Sequence, residues 1–138
     1  MIASSADVVT EAEPGRAPTL LVVDDDEDIR TLLSELFAKA GFRVEIAGDG
    51  AQAILFLEHH EPPDAIVLDL LMPGIVGTSV LSYLSSHPVL AEVPVAIVSS
   101  SPQLAPDGYK LFKKPLQFAP LLEYVRDACG ARSSPPAM

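Results

Sequence analysis

The chain has 138 residues, with 19 acidic against 9 basic side chains, a net charge of −10 and a hydrophobic share of 49 %. That length suits one domain whose core needs no covalent staples. A single Cys excludes an intramolecular disulfide framework or Cys-based zinc cluster, no apolar run approaches the ~20 residues of a membrane span, and the acidic balance argues against nucleic acid or an anionic membrane as main partner.

Residues 1–18 are rich in Ala, Ser, Glu, Pro and Gly and show no apolar periodicity. Asp7, Glu11 and Glu13 interrupt what a secretory leader would keep apolar, so the segment reads as a disordered tail and the compartment as the cytoplasm. The next segment, Leu20-Leu21-Val22-Val23, is a short continuous apolar run, the pattern of a strand buried on both faces. Ile29, Leu32, Leu33, Leu36, Phe37 and Ala40 then recur at helical spacing, with Gly41 as the stop. Arg43-Val44-Glu45-Ile46 alternates, as an edge strand does. Gly48-Asp49-Gly50 reads as a turn with an N-cap, ahead of a helix striped by Ala53, Ile54 and Leu57. His59 and His60 read as its solvated end.

Ala65-Ile66-Val67-Leu68 and Val95-Ala96-Ile97-Val98 repeat the buried-strand pattern on either side of a helix carrying Val80, Leu81 and Leu84 before Pro88. Residues 109–112 are a weaker strand. Phe118, Leu121, Leu122, Val125 and Cys129 mark a last helix with Gly130 as its stop, and residues 131–138 read as a C-terminal tail. The alternation predicts one (βα)5 domain over residues 19–130, a doubly wound α/β sandwich whose function sits at the carboxyl ends of its strands.

Those ends carry the polar chemistry. The first strand runs into Asp24-Asp25-Asp26, the third into Asp69, the fourth into Ser99, and the fifth into Lys113-Lys114-Pro115. Carboxylates gathered on one edge repel one another unless a cation offsets them, and Mg²⁺ accepts a few carboxylates completed by waters and phosphate oxygens. A carboxylate beside Mg²⁺ and a lysine can act as a nucleophile toward phosphorus, giving an aspartyl-phosphate. Asp26 and Asp28 read instead as the acidic start of a helix, and Lys113 as solvated.

Val22-Val23-Asp24-Asp25, then Val67-Leu68-Asp69-Leu70-Leu71-Met72-Pro73-Gly74, then Pro94-Val95-Ala96-Ile97-Val98-Ser99, then Lys114-Pro115, together resemble the receiver domain of two-component response regulators. The resemblance implies a flavodoxin-like five-stranded parallel sheet of order 2-1-3-4-5. It implies Asp69 as phosphoacceptor, Asp25 as direct Mg²⁺ ligand, Asp24 as a ligand acting through water, and the Leu71 backbone carbonyl as a further ligand. Ser99 matches the switch hydroxyl, and Lys114 the lysine that meets the phosphoryl group, ahead of a Lys114–Pro115 bond that is often cis in the family.

Some positions depart from the family's pattern. Val76 stands where an acidic residue is frequent, and Leu111 where the family usually has an aromatic side chain that moves with the switch hydroxyl. The stretch between Ser99 and Lys114 contains Pro102 and Pro106 and is too short for a loop, a full helix and a strand, so the fourth helix is expected short or absent.

The expected function is that of a stand-alone receiver, a signalling protein rather than an enzyme. A histidine kinase or histidine phosphotransfer protein is its expected phosphodonor, Mg²⁺ its cofactor, and contact with an unidentified downstream protein its output. A rival reading is a degenerate receiver that docks a partner without phosphorylation. A haloacid dehalogenase-like phosphatase ranks last, because Leu71 occupies the place of its second aspartate.

Overall fold

The computed structural model of the protein describes residues 16–70, 77–101, 103 and 105–133. The elements run β1 (Thr19–Val23), α1 (Glu27–Lys39), β2 (Arg43–Ala47), α2 (Gly50–His59), β3 (Ala65–Asp69), α3 (Gly77–Ser85), a 3₁₀ turn (Leu90–Glu92), β4 (Val95–Ser99), β5 (Lys110–Lys113) and α4 (Phe118–Ser133). The strands form one parallel sheet in the order β2-β1-β3-β4-β5, which is the expected 2-1-3-4-5.

Burial explains the two textures of the strands. Every residue of β3 and β4 is buried, and so are four of the five in β1, because helices cover both faces of the central sheet. The alternating β2 lies at one edge and β5 at the other. On one face the core joins Leu21, Val23, Ile66, Leu68 and Ile97 of the sheet to Ala53 and Leu57 of α2 and to Val80, Leu81 and Leu84 of α3. On the other, Leu20, Val22, Val67 and Val98 pack with Leu33 and Phe37 of α1 and with Leu121, Val125 and Cys129 of α4. Phe37 is fully buried, with edge-on contacts to Phe42 at 5.3 Å and Phe118 at 4.9 Å.

Local chemistry sets the helix ends. Asp26 caps α1, its side chain accepting from the N–H groups of Asp28 and Ile29, and Asp49 caps α2 by accepting from Gln52 N–H. Gly41 takes φ 102° just past α1, the left-handed position that stops a helix cheaply only as glycine.

Some details differ from the sequence reading. Leu32 is 51 % exposed rather than part of the buried stripe, which narrows to Leu33 and Phe37. α4 does not stop at Gly130 but runs to Ser133: Gly130 is not among the glycines with positive φ, and no proline follows until Pro135. A 3₁₀ turn over Leu90–Glu92, unexpected from the sequence, buries Leu90 against the α3 side of the core. Among the described residues between β4 and β5 there is no α-helix, as the short spacing predicts, and Gly108 turns the chain there with φ 95°.

Candidate functional site

Strand order and register assemble the site. Asp24 follows the last residue of β1, Asp69 ends β3, Ser99 ends β4, and Lys114 follows β5. β1, β3, β4 and β5 are consecutive neighbours in the sheet, so these four residues line one edge at successive spacings of ~4.8 Å. Asp69 pairs with Val98 and Ser99 with Lys113, which sets the third and fourth strand ends level with the fifth.

Ligand oxygens of Asp24, Asp25 and Asp69 all lie within 4.8 Å of one another, with Asp24 and Asp69 buried and Asp25 exposed. Lys114 reaches across the end of β4 to meet both buried carboxylates, Nζ standing 3.5 Å from Asp69 Oδ2 and 3.6 Å from Asp24 Oδ2. The Lys114–Pro115 peptide bond is cis, and Lys114 N–H donates to the Ser99 carbonyl at 3.1 Å. Three carboxylates thus gather at one site, and two of them share one ammonium. The donor set is hard oxygen throughout and keeps a surplus of negative charge, so it fits a hard divalent cation such as Mg²⁺.

Further bonds hold this edge in place. Asp24 Oδ1 accepts from Asp26 N–H at 2.9 Å, which leaves Oδ2 for Lys114. The Ser99 hydroxyl is fully buried, and its oxygen accepts from Ser101 N–H at 2.9 Å, so the hydroxyl proton remains available to a second acceptor. Leu71 and Val76 lie outside the described residues. Leu111 is half-buried against the α2–α3 face of the core, while Phe112 turns to the other face and meets Tyr124 at 5.9 Å.

The sequence reading missed Arg30. Its Nη1 donates to the Asp24 carbonyl at 2.9 Å, and a Cβ at Gly48 would sit 3.1 Å from the same nitrogen. Arg30 therefore ties the β1–α1 loop against the β2–α2 loop, and Asp24 N–H donates to the Ala47 carbonyl at 3.2 Å between the same two segments. The sequence offered no specific signal for this contact, because its acceptor is a backbone carbonyl.

Comparison with known proteins bears on the family and the fold. The family model for the response regulator receiver domain matches residues 20–125. The transcriptional regulatory protein PrrA of Mycobacterium tuberculosis is 40 % identical over 84 residues, 61 % of this chain and 35 % of that protein. The chain thus spans about a third of the length of PrrA, 35 %. The two-component response regulator ORR8 of Oryza sativa subsp. japonica is 36 % identical over 84 residues, 61 % of this chain and 69 % of that one. Among solved structures, the receiver domain of the Francisella response regulator 1452 superposes with a TM-score of 0.73 at 26 % identity, covering 83 % of this chain and 98 % of that chain.

Proposed function

Because the chain belongs to the response regulator receiver domain family, we propose that it accepts a phosphoryl group on Asp69 from a histidine kinase or histidine phosphotransfer protein in the cytoplasm. The observation that carries this reading is the placement of Lys114 Nζ 3.5 Å from Asp69 Oδ2 and 3.6 Å from Asp24 Oδ2, within a cluster that also includes Asp25. An Asp69 oxygen forms the new bond to phosphorus as the donor's P–N bond breaks and the imidazole leaves. Lys114 offsets the charge of the incoming oxygens, and the Ser99 hydroxyl donates to one of them. Asp25 and Asp69 would hold the metal directly, and Asp24 would act through a water. The family resemblance implies that the Leu71 backbone carbonyl would be a further ligand. Bound Mg²⁺ supplies Lewis-acid stabilisation of the transferring group.

The role is signalling, with phosphorylation and dephosphorylation of its own aspartate as its only chemistry and output through contact with another protein. Intact-mass measurement after incubation with Mg²⁺ and a small acyl phosphate tests it. The expected result is a phosphoryl adduct on the wild type that is absent from Asp69→Ala. No adduct on the wild type overturns the reading and favours a docking module independent of phosphorylation.

A further inference from the structure

The free edge of β2 carries a self-complementary pattern. β2 hydrogen-bonds to β1 on one side only. Arg43 N–H donates to the Pro18 carbonyl at 2.8 Å, and the Ala47 carbonyl accepts from Asp24 N–H at 3.2 Å, so Arg43 and Ala47 turn their backbone groups inward. By strand alternation Val44 and Ile46 turn theirs outward, to the open edge. Arg43 and Glu45 are exposed, and Ile46 is 54 % exposed. Beside the edge lies an open groove of about 460 Å³ lined by Ile46, Gln52, Leu55, Phe56, His59 and His60. Leu55 is 57 % exposed, so two of the four large exposed apolar side chains among the described residues flank this one edge.

We propose that β2 pairs antiparallel with β2 of a second copy, in the register that centres Val44 on the partner's Val44. Outward backbone groups must meet outward ones, which leaves few registers. Centring on Glu45 opposes two glutamates, and shifting the pairing toward Arg43 opposes two arginines, both unfavourable. Centring on Val44 sets Arg43 against the partner's Glu45, twice, at the closer non-hydrogen-bonded positions. Val44 N–H and C=O then exchange bonds with the partner's Val44, and Ile46 N–H reaches the partner's Phe42 carbonyl. Phe42 N–H is already committed to the Phe37 carbonyl and is not required. The other edge offers no such match, because β5 carries Lys110 and Lys113 and no acidic residue.

Sedimentation velocity across a concentration series into the millimolar range tests the pairing. Arg43→Glu and Glu45→Arg should each weaken dimerisation by about tenfold or more, because each opposes like charges twice. The double exchange Arg43→Glu/Glu45→Arg should restore it. Both side chains are exposed, and urea unfolding checks that each variant is folded. Amide exchange at Val44 and Ile46 should slow as protein concentration rises. A wild type that stays monomeric throughout overturns the proposal. So does a dimer that neither single exchange weakens, or one that the double exchange fails to restore.

Discussion

Lys114→Ala removes the ammonium from between Asp24 and Asp69 and leaves their Oδ2 atoms buried without it. At 3.5 and 3.6 Å, each pair has a gross attraction of roughly 4 to 5 kcal/mol at an effective dielectric near 20. The net figure is smaller. The lysine side chain is 29 % exposed and already gave up some hydration to reach the site. Breaking a buried pair costs about 3–5 kcal/mol, and the partial exposure lowers the expected loss here to about 1–3 kcal/mol. Mg²⁺ then acts in the opposite direction. With the ammonium gone, the carboxylates hold more uncompensated charge, so the cation binds more tightly and stabilises the variant more than the wild type. Urea unfolding with and without saturating Mg²⁺ measures both effects. The stability gap between the proteins should narrow when the metal is added. A variant that loses less than about 0.5 kcal/mol without metal, or a gap that widens with Mg²⁺, would refute the placement of Lys114 as the counter-charge of the pair.

Other expectations follow from single contacts. Asp26→Ala removes the cap of α1 and should cost about 1 kcal/mol in urea unfolding while leaving the phosphoryl adduct on Asp69 intact. Phe37→Ala opens a cavity where three aromatic rings meet and should cost about 3–5 kcal/mol by the same measurement. Burial raises the Tyr124 phenol above 10.0, so the folded protein holds that proton more tightly than the unfolded chain. Its contribution is complete below pH 10.0 and is lost as pH rises toward the folded value. Tyr124→Phe should therefore lose less stability than the wild type between neutral and strongly alkaline pH, with unfolding followed by circular dichroism. An equal loss in both proteins would assign the alkaline effect to other groups.

What the sequence made legible was what its periodicity and its strand ends encode. Leu20 to Val23, Ala65 to Leu68 and Val95 to Val98 are apolar without interruption because helices cover both faces of their strands. Once those strands lie parallel, Asp24, Asp69, Ser99 and Lys114 fall on one edge without further information. Helix limits were less legible, because a glycine ends a helix only where the chain takes a positive φ. Gly41 does so at 102°, whereas Gly130 is passed over.

Arg30 was hidden for a different reason. Its task is to donate to a backbone carbonyl, and no side-chain pattern records which carbonyl an arginine will meet. Gly48 was read as part of a turn, yet its missing side chain is also what lets the Arg30 guanidinium lie where a Cβ would approach to 3.1 Å. The segment after Ser99 shows the opposite case, in which chain length and proline content were enough to foresee that no full helix forms. Two prolines and too few residues exclude a full helix whatever the remaining side chains prefer. Leu111 is half-buried on the edge strand of the sheet, with no α-helix among the described residues of the β4–β5 connection. Among its described residues the stretch that follows Ser99 holds no α-helix, so a change at Ser99 would reach β5 without an α-helix there to move as a rigid body.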